Sequence, residues 1–292
     1  MLRCRRSIPK SNADGCAGFG VLELVLGVTL MGIAVAATSG MFLASKWHMQ
    51  MQQRQLEATN AARAAVDMIV RDLRLGGACL PVTGDFVSLE GADNGQLDEI
   101  TTRTGLTRPD LSCVTTVVPL GSGPVAGNAT TIPVQSVDGF SVGMRAYIRD
   151  TFGDGEYFDI TSVTASPPRL GKSVTLAQSY PDTSGVYAID QRRFYIDTAS
   201  GPNGAPQLML QVGNNAAQSF AVGIEKLDIQ YQLQRNCPPC DVVNLPSSNS
   251  EWAVVDAVLL NVTARSDQPD KAGNYYRRTI TVNVKPRNLL PR

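Results

Sequence analysis

Between Leu24 and Ser45 the chain runs for 22 consecutive positions without a charged side chain. Wound as an α-helix at ~1.5 Å per residue, that run reaches about 33 Å, roughly the ~30 Å hydrocarbon core of a bilayer. The segment is therefore long enough to span a membrane. Everything after it must fold behind a terminal apolar helix. At its mouth stands Glu23, and an ionised carboxylate inside a bilayer costs about 3 kcal/mol on insertion scales, so a glutamate there is read as functional by default. Upstream lie Arg3, Arg5, Arg6 and Lys10, a basic cap of the kind that stays on the cytoplasmic side of a membrane.

The junction just before the run carries a second signal. Gly18-Phe19-Gly20-Val21-Leu22-Glu23 resembles the cleavage signature of the type IV pilin and pseudopilin family: a short basic leader ending in glycine, then Phe, then Glu as the fifth mature residue. The resemblance implies that a prepilin peptidase cuts after Gly18 and methylates the new amine of Phe19. It also implies that Glu23 pairs with such an amine, its own or a neighbour's, during filament assembly. The pairing is physically reasonable, because an uncompensated charge in hydrocarbon is costly and a cationic chain terminus is the nearest partner. Two plainer readings compete. Ala34-Val35-Ala36 is an acceptable small-x-small cleavage site for a secretory signal peptide, although the apolar region would exceed the usual 7–15 residues and begin with Glu23. An ordinary single-pass anchor also fits the hydropathy.

From Lys46 to Leu75 there is neither Pro nor Gly, and the Gln, Arg, Ala, Met and Leu content favours helix, so one helix is expected from Phe19 to about Leu75. Ala58, Ala62, Ala65, Val66, Ile69 and Leu73 recur at the 3–4 spacing of one helical face, while Arg54, Glu57, Arg63, Asp67, Arg71 and Arg74 occupy other positions. That stripe should dock on a folded domain. Gly76-Gly77 should end the helix. Gly27, Gly32 and Gly40 are tolerated in a membrane helix and ease close packing or a bend.

Beyond Ala78 the pattern changes to short alternating runs broken by Gly, Pro, Asn and Asp, which reads as β structure. Leu227, Ile229, Tyr231 and Leu233 alternate, as do Val258, Leu260, Val262 and Ala264, and Ile280, Val282 and Val284. Met144-Ala146-Ile148, Phe158-Ile160 and Val174-Leu176 are weaker strand candidates around the loops Gly153-Asp154-Gly155 and Ser166-Pro167-Pro168. The expected fold class is α+β and pilin-like, a long N-terminal helix packed on a β-rich C-terminal domain. Its parts are a leader at 1–18, a helix at 19–76 with about 24–45 in the membrane, and a globular domain at 77–292 with a β insertion near 131–180.

Four later blocks narrow the resemblance. Asp72 to Gly77, Gly223 to Tyr231, Trp252 to Val262 and Arg278 to Asn288 resemble, in that order, the blocks of PilW-type minor pilins, and Gly139 to Leu176 a β insertion of some members. The J-type pseudopilin of type II secretion shares the early layout. The function this implies is a minor pilin that joins or primes a type IV pilus. Its partners would be the prepilin peptidase, other minor pilins and the major pilin, the inner-membrane assembly platform and the lipid bilayer. Its location would be the inner membrane with the C-terminal domain periplasmic, then the pilus, near the tip. From a different class, a membrane-anchored or secreted binding domain for sugar or protein remains open.

The rest of the composition excludes more than it proposes. Of 26 basic and 26 acidic residues the leader holds four and one, leaving 22 and 25, a net of −3, so there is no overall electrostatic case for nucleic-acid binding. Cys4 and Cys16 fall in the leader. Cys79, Cys113, Cys237 and Cys240 remain and allow three pairings; export favours disulfides, with Cys79–Cys113 and Cys237–Cys240 preferred. Cys237-Pro238-Pro239-Cys240 lacks the following helix of a thioredoxin-like redox motif and reads as a structural loop. His48 is the sole histidine and lies on the helix, so it serves no Ser-His-Asp or Cys-His site. Asp150, Asp154, Glu156 and Asp159 fail the EF-hand spacing and read as a solvated turn rather than a calcium site. No Walker loop or dinucleotide fingerprint occurs, so no enzyme activity and no cofactor are expected. Trp47, beside Lys46 and His48, reads as an interfacial anchor.

Overall fold

The computed structural model describes residues 20–81, 86–235 and 237–288; the expected leader, Gly18 and Phe19 lie outside them. The chain divides into two units, one ending at Gln52 and the other beginning at Gln53. The helix α1 (Val21–Leu75) supplies the described part of the first unit and opens the second.

In the first unit every residue from Gly20 to Gln52 is exposed, including Val21, Met31 and Phe42 at 70% or more. The threonine hydroxyls on this stretch turn inward: Thr29 donates to the Leu26 carbonyl and Thr38 to that of Ala34, both at 2.9 Å. From Leu24 to Ser45 the exposed surface of the helix carries no charge, and an α-helix keeps its own backbone groups paired, which suits an apolar medium. It has the length and composition of a membrane anchor, or of a signal sequence.

In the second unit α1 buries Ala58, Ala62, Ala65, Val66, Ile69, Asp72 and Leu73. The apolar members are the stripe read from the sequence. From Ala62 onward they pack in one core with a four-stranded antiparallel sheet.

Strands β1 (Leu89–Ala92), β2 (Glu99–Gly105), β3 (Thr115–Val117), β4 (Thr131–Pro133), β5 (Arg145–Arg149), β6 (Gly155–Ala165), β7 (Pro168–Lys172), β8 (Gly185–Asp197), β9 (Gln207–Val212) and β10 (Gln218–Val222) form one large antiparallel sheet. Strands β11 (Ile224–Leu233), β12 (Asp241–Val243), β13 (Val255–Arg265) and β14 (Arg277–Val284) form the smaller one, in the order β12-β11-β13-β14, with the short helix α2 (Asn249–Trp252) before β13. The alternating apolar residues of β11 and β13 are buried, and those of β14 are half-buried except for Val284, which is buried, because β14 is the edge. The fold is α+β: a long N-terminal apolar helix followed by a β-rich domain.

The large sheet serves two cores. Phe194 of β8 packs with the α1 stripe, whereas Val186 and Ala188 of the same strand belong to a second core drawn from Val114 to Ala188. At ~3.3 Å per residue β8 extends about 40 Å, so a single strand carries the backbone from one core into the other. One expectation fails here. Val174–Leu176 forms no strand, because β7 stops at Lys172 and the buried Lys172 ammonium holds the turning chain by donating to the carbonyls of Gly127 (2.7 Å) and Val174 (2.9 Å). Leu176 is nevertheless buried in the second core, which is why its apolar character resembled a strand.

Candidate functional site

Two places carry unusual physical chemistry: the entrance of α1 and its exit. At the entrance Glu23 lies in the first turn, its backbone N–H donating to the Gly20 carbonyl at 2.9 Å. A carboxylate there faces the positive end of the helix dipole. Around it Val21, Leu22, Leu24 and Val25 are all exposed, so Glu23 is the single charge on an apolar surface that runs to Ser45. Trp47 and His48 follow on α1, both exposed.

At the exit, Gly76 donates to the Asp72 carbonyl and Gly77, with φ +79°, turns the chain out of the helix. A side chain at Gly77 would strike the Asn288 carbonyl oxygen at 2.7 Å. Asp72 points inward, only 4% exposed, and accepts from one Arg192 guanidinium nitrogen at 3.3 and 3.4 Å; that guanidinium also pairs with Asp190 at 2.9 Å. Burial pushes the Asp72 carboxyl above its ordinary range, with the Arg192 charge opposing. The Arg192 guanidinium is itself held above its usual value by Asp190 and Asp72 against the effect of burial. Asp98 repeats the device. It is 3% exposed, accepts from the N–H groups of Ile229 (2.8 Å) and Asn94 (2.9 Å), and is raised by burial. It joins the two sheets beside the Leu97–Leu227 bridge.

The cysteines lie just past that exit and in the β11–β12 connection. Cys79 is joined to Cys113 with Cα atoms 5.5 Å apart, and Cys237 to Cys240 at 4.2 Å. The first bond ties the chain leaving α1 to the Arg108–Cys113 hairpin. Gly105 permits it, because a Cβ there would meet the Cys79 Cβ at 2.6 Å. The Cys237–Cys240 loop is mostly exposed beside Arg235, which is held between Asp241 (2.9 Å) and Glu251 (2.7 Å). No family model and no curated protein matches this chain.

The acidic turn separates into individual tasks. One Asp150 oxygen accepts three backbone N–H groups, from Phe152, Gly153 and Asp154 at 2.8–3.0 Å. Glu156 accepts from the N–H groups of Ala177 and Gln178 and from the Tyr180 hydroxyl, whose phenol is raised chiefly by burial. Asp159 meets Arg145 and Asn214. Among the described residues no three His, Cys, Asp or Glu side chains converge as a metal site.

The sequence reading named neither the buried Asp72–Arg192 pair nor the buried Asp98. Asp72 was visible as an acid on the apolar stripe, three positions after Ile69, where a charge must have a partner. Its partner is 120 residues away, and no local pattern points to it.

Proposed function

We propose that this chain is a filament-assembly subunit of the minor pilin kind, anchored by α1 and presenting its β domain to partner subunits. The observation that carries the reading is the solitary Glu23 in the first turn of an exposed apolar helix, directly behind Gly18-Phe19, on a helix that continues into a docked stripe. Peptidase cleavage after Gly18 frees the Phe19 amine. Glu23 then compensates such an amine in the apolar medium, which fixes axial register between neighbouring helices because any other stagger leaves a buried carboxylate unpaired. Some 215 residues follow Gly77, a head too bulky to repeat at every step of a tight helical array, so the subunit belongs near the tip at few copies.

Mass spectrometry of the purified protein tests the reading: the mature chain should begin at methylated Phe19. A start at Ala37 would assign the apolar helix to a secretory signal and end the assembly argument. Gene neighbours separate a pilus subunit from a J-type pseudopilin, since pilus and secretion genes cluster differently.

A further inference from the structure

The end of α1 forms one wall of an open groove of about 750 Å³, lined by Asp67, Val70, Arg71, Arg74 and Leu75 and closed by Arg287 and Asn288. The shape is fixed by the backbone, since the Asn288 carbonyl lies against Gly77 and the Asn288 amide donates toward the Gly76 carbonyl at 3.5 Å. Arg71, Arg74 and Arg287 are exposed, and none of them forms an ion pair among the described residues. Elsewhere in the domain Arg103, Arg192, Arg193, Arg235, Arg265 and Arg277 each meet a carboxylate. A basic residue in the last turn is explained by the helix carbonyls. Arg287 is not, because it comes from the segment after β14, and with Arg71 and Arg74 it sets three cations against the single carboxylate of Asp67, so the groove carries a net positive charge.

We infer that this groove is a docking site for an acidic, apolar-interleaved segment of a partner protein. Guanidinium groups grip planar carboxylates in paired hydrogen bonds. The floor formed by Val70 and the half-exposed Leu75 takes an aliphatic side chain between them. Val70 and Leu75 give the groove an apolar strip that a peptide with carboxylates spaced by apolar residues can fill and a phosphate backbone cannot, while Asp67 leaves the lining with three cations against one anion. The inference rests on the second unit alone, the end of α1 with the segment after β14, and does not depend on the assembly reading.

The test uses the full chain in a neutral detergent and a fluorescein-labelled peptide, Asp-Leu-Glu-Leu-Asp, followed by anisotropy. Its amide counterpart, Asn-Leu-Gln-Leu-Asn, should bind at least roughly tenfold more weakly, and raising salt from about 0.05 to 0.3 M should weaken the acidic peptide several-fold. Arg71→Gln combined with Arg287→Gln should cost about tenfold or more, with thermal unfolding unchanged because both side chains are exposed and unpaired. Equal binding of both peptides would overturn the proposal, as would binding indifferent to the arginine changes. Tighter binding of oligothymidylate through the same arginines would make the groove a phosphate site. If the peptide bound only after residues 289–292 were removed, the groove would belong to the chain's own end, and the proposal would fall.

Discussion

The two halves of one helix carry different surfaces. Up to Gln52, α1 exposes every side chain, apolar ones included; from Gln53 to Leu75 the same backbone geometry buries a single face and leaves charge on the rest. Helix propensity does not distinguish the halves. What distinguishes them is the angular distribution of apolar residues: all around the axis in the first, within one stripe in the second. A helix apolar on every side needs lipid or other apolar helices, whereas a striped helix needs only one covering sheet. On the reading proposed above, the first half should govern insertion and assembly, and the second the folding of the β domain.

The sharpest way to break that division is to delete equivalent apolar groups from each half. Leu73→Ala removes a fully buried side chain from the α1–sheet core and should lower the stability of the β domain by about 2–5 kcal/mol in denaturant melts. A loss below roughly 1 kcal/mol would mean the stripe is not what holds the helix to the sheet. Opening Cys79–Cys113, which spans 34 residues, should cost about 3–4 kcal/mol by chain entropy, against about 2 for the tight Cys237–Cys240 loop. Measuring Cys79→Ser and Cys237→Ser side by side shows whether the covalent tie at the helix exit exceeds the loop tie, and a reversed order would remove this account.

Asp72 sharpens the comparison through pH. Its folded carboxyl is raised by burial, so the folded state holds its proton more tightly than the unfolded chain does. The contribution favours folding fully below the unfolded value of about 3.8–3.9 and is lost as pH rises through the raised folded value. Asp72→Asn should flatten that decline just above pH 4 in a stability–pH profile. Asp72→Ala should in addition cost about 1–3 kcal/mol, because the buried end of the Arg192 guanidinium loses an acceptor while keeping Asp190. A profile unchanged in Asp72→Asn would show that the carboxyl titrates like one in water. The smallest effect on folding should come from the first half. Glu23→Val should move β-domain stability by less than about 0.5 kcal/mol and hold or raise the membrane-bound fraction, while incorporation into filaments falls. Full filament incorporation by this variant would break the role assigned to Glu23.

Much of this architecture is legible because it is local. The Leu24–Ser45 run, the Ala58–Leu73 stripe, the Gly76-Gly77 stop and the alternation in β11 and β13 are periodic signals within short windows, and periodicity tracks burial wherever one face meets a core. Strand β8 escaped because Asp190-Gln191-Arg192-Arg193 breaks its apolar run, and only the fold supplies the acids Asp72 and Glu99 that make those charges acceptable there. Val174–Leu176 misled for the opposite reason: an apolar residue can be buried from a turn as well as from a strand.

The sequence by itself determined a long apolar helix with one carboxylate at its mouth, its continuation as a striped helix, and a β-rich domain behind it, because each is written as a repeat along neighbouring residues. Tertiary structure alone decided that Asp72 meets Arg192, that Asp98 joins the two sheets, and that Arg71, Arg74 and Arg287 share one groove. Each of these brings together segments a hundred or more positions apart, and what selects them, burial at Asp72 and Asp98 and the packing of the chain after β14 against the end of α1, depends on distance through space rather than along the chain.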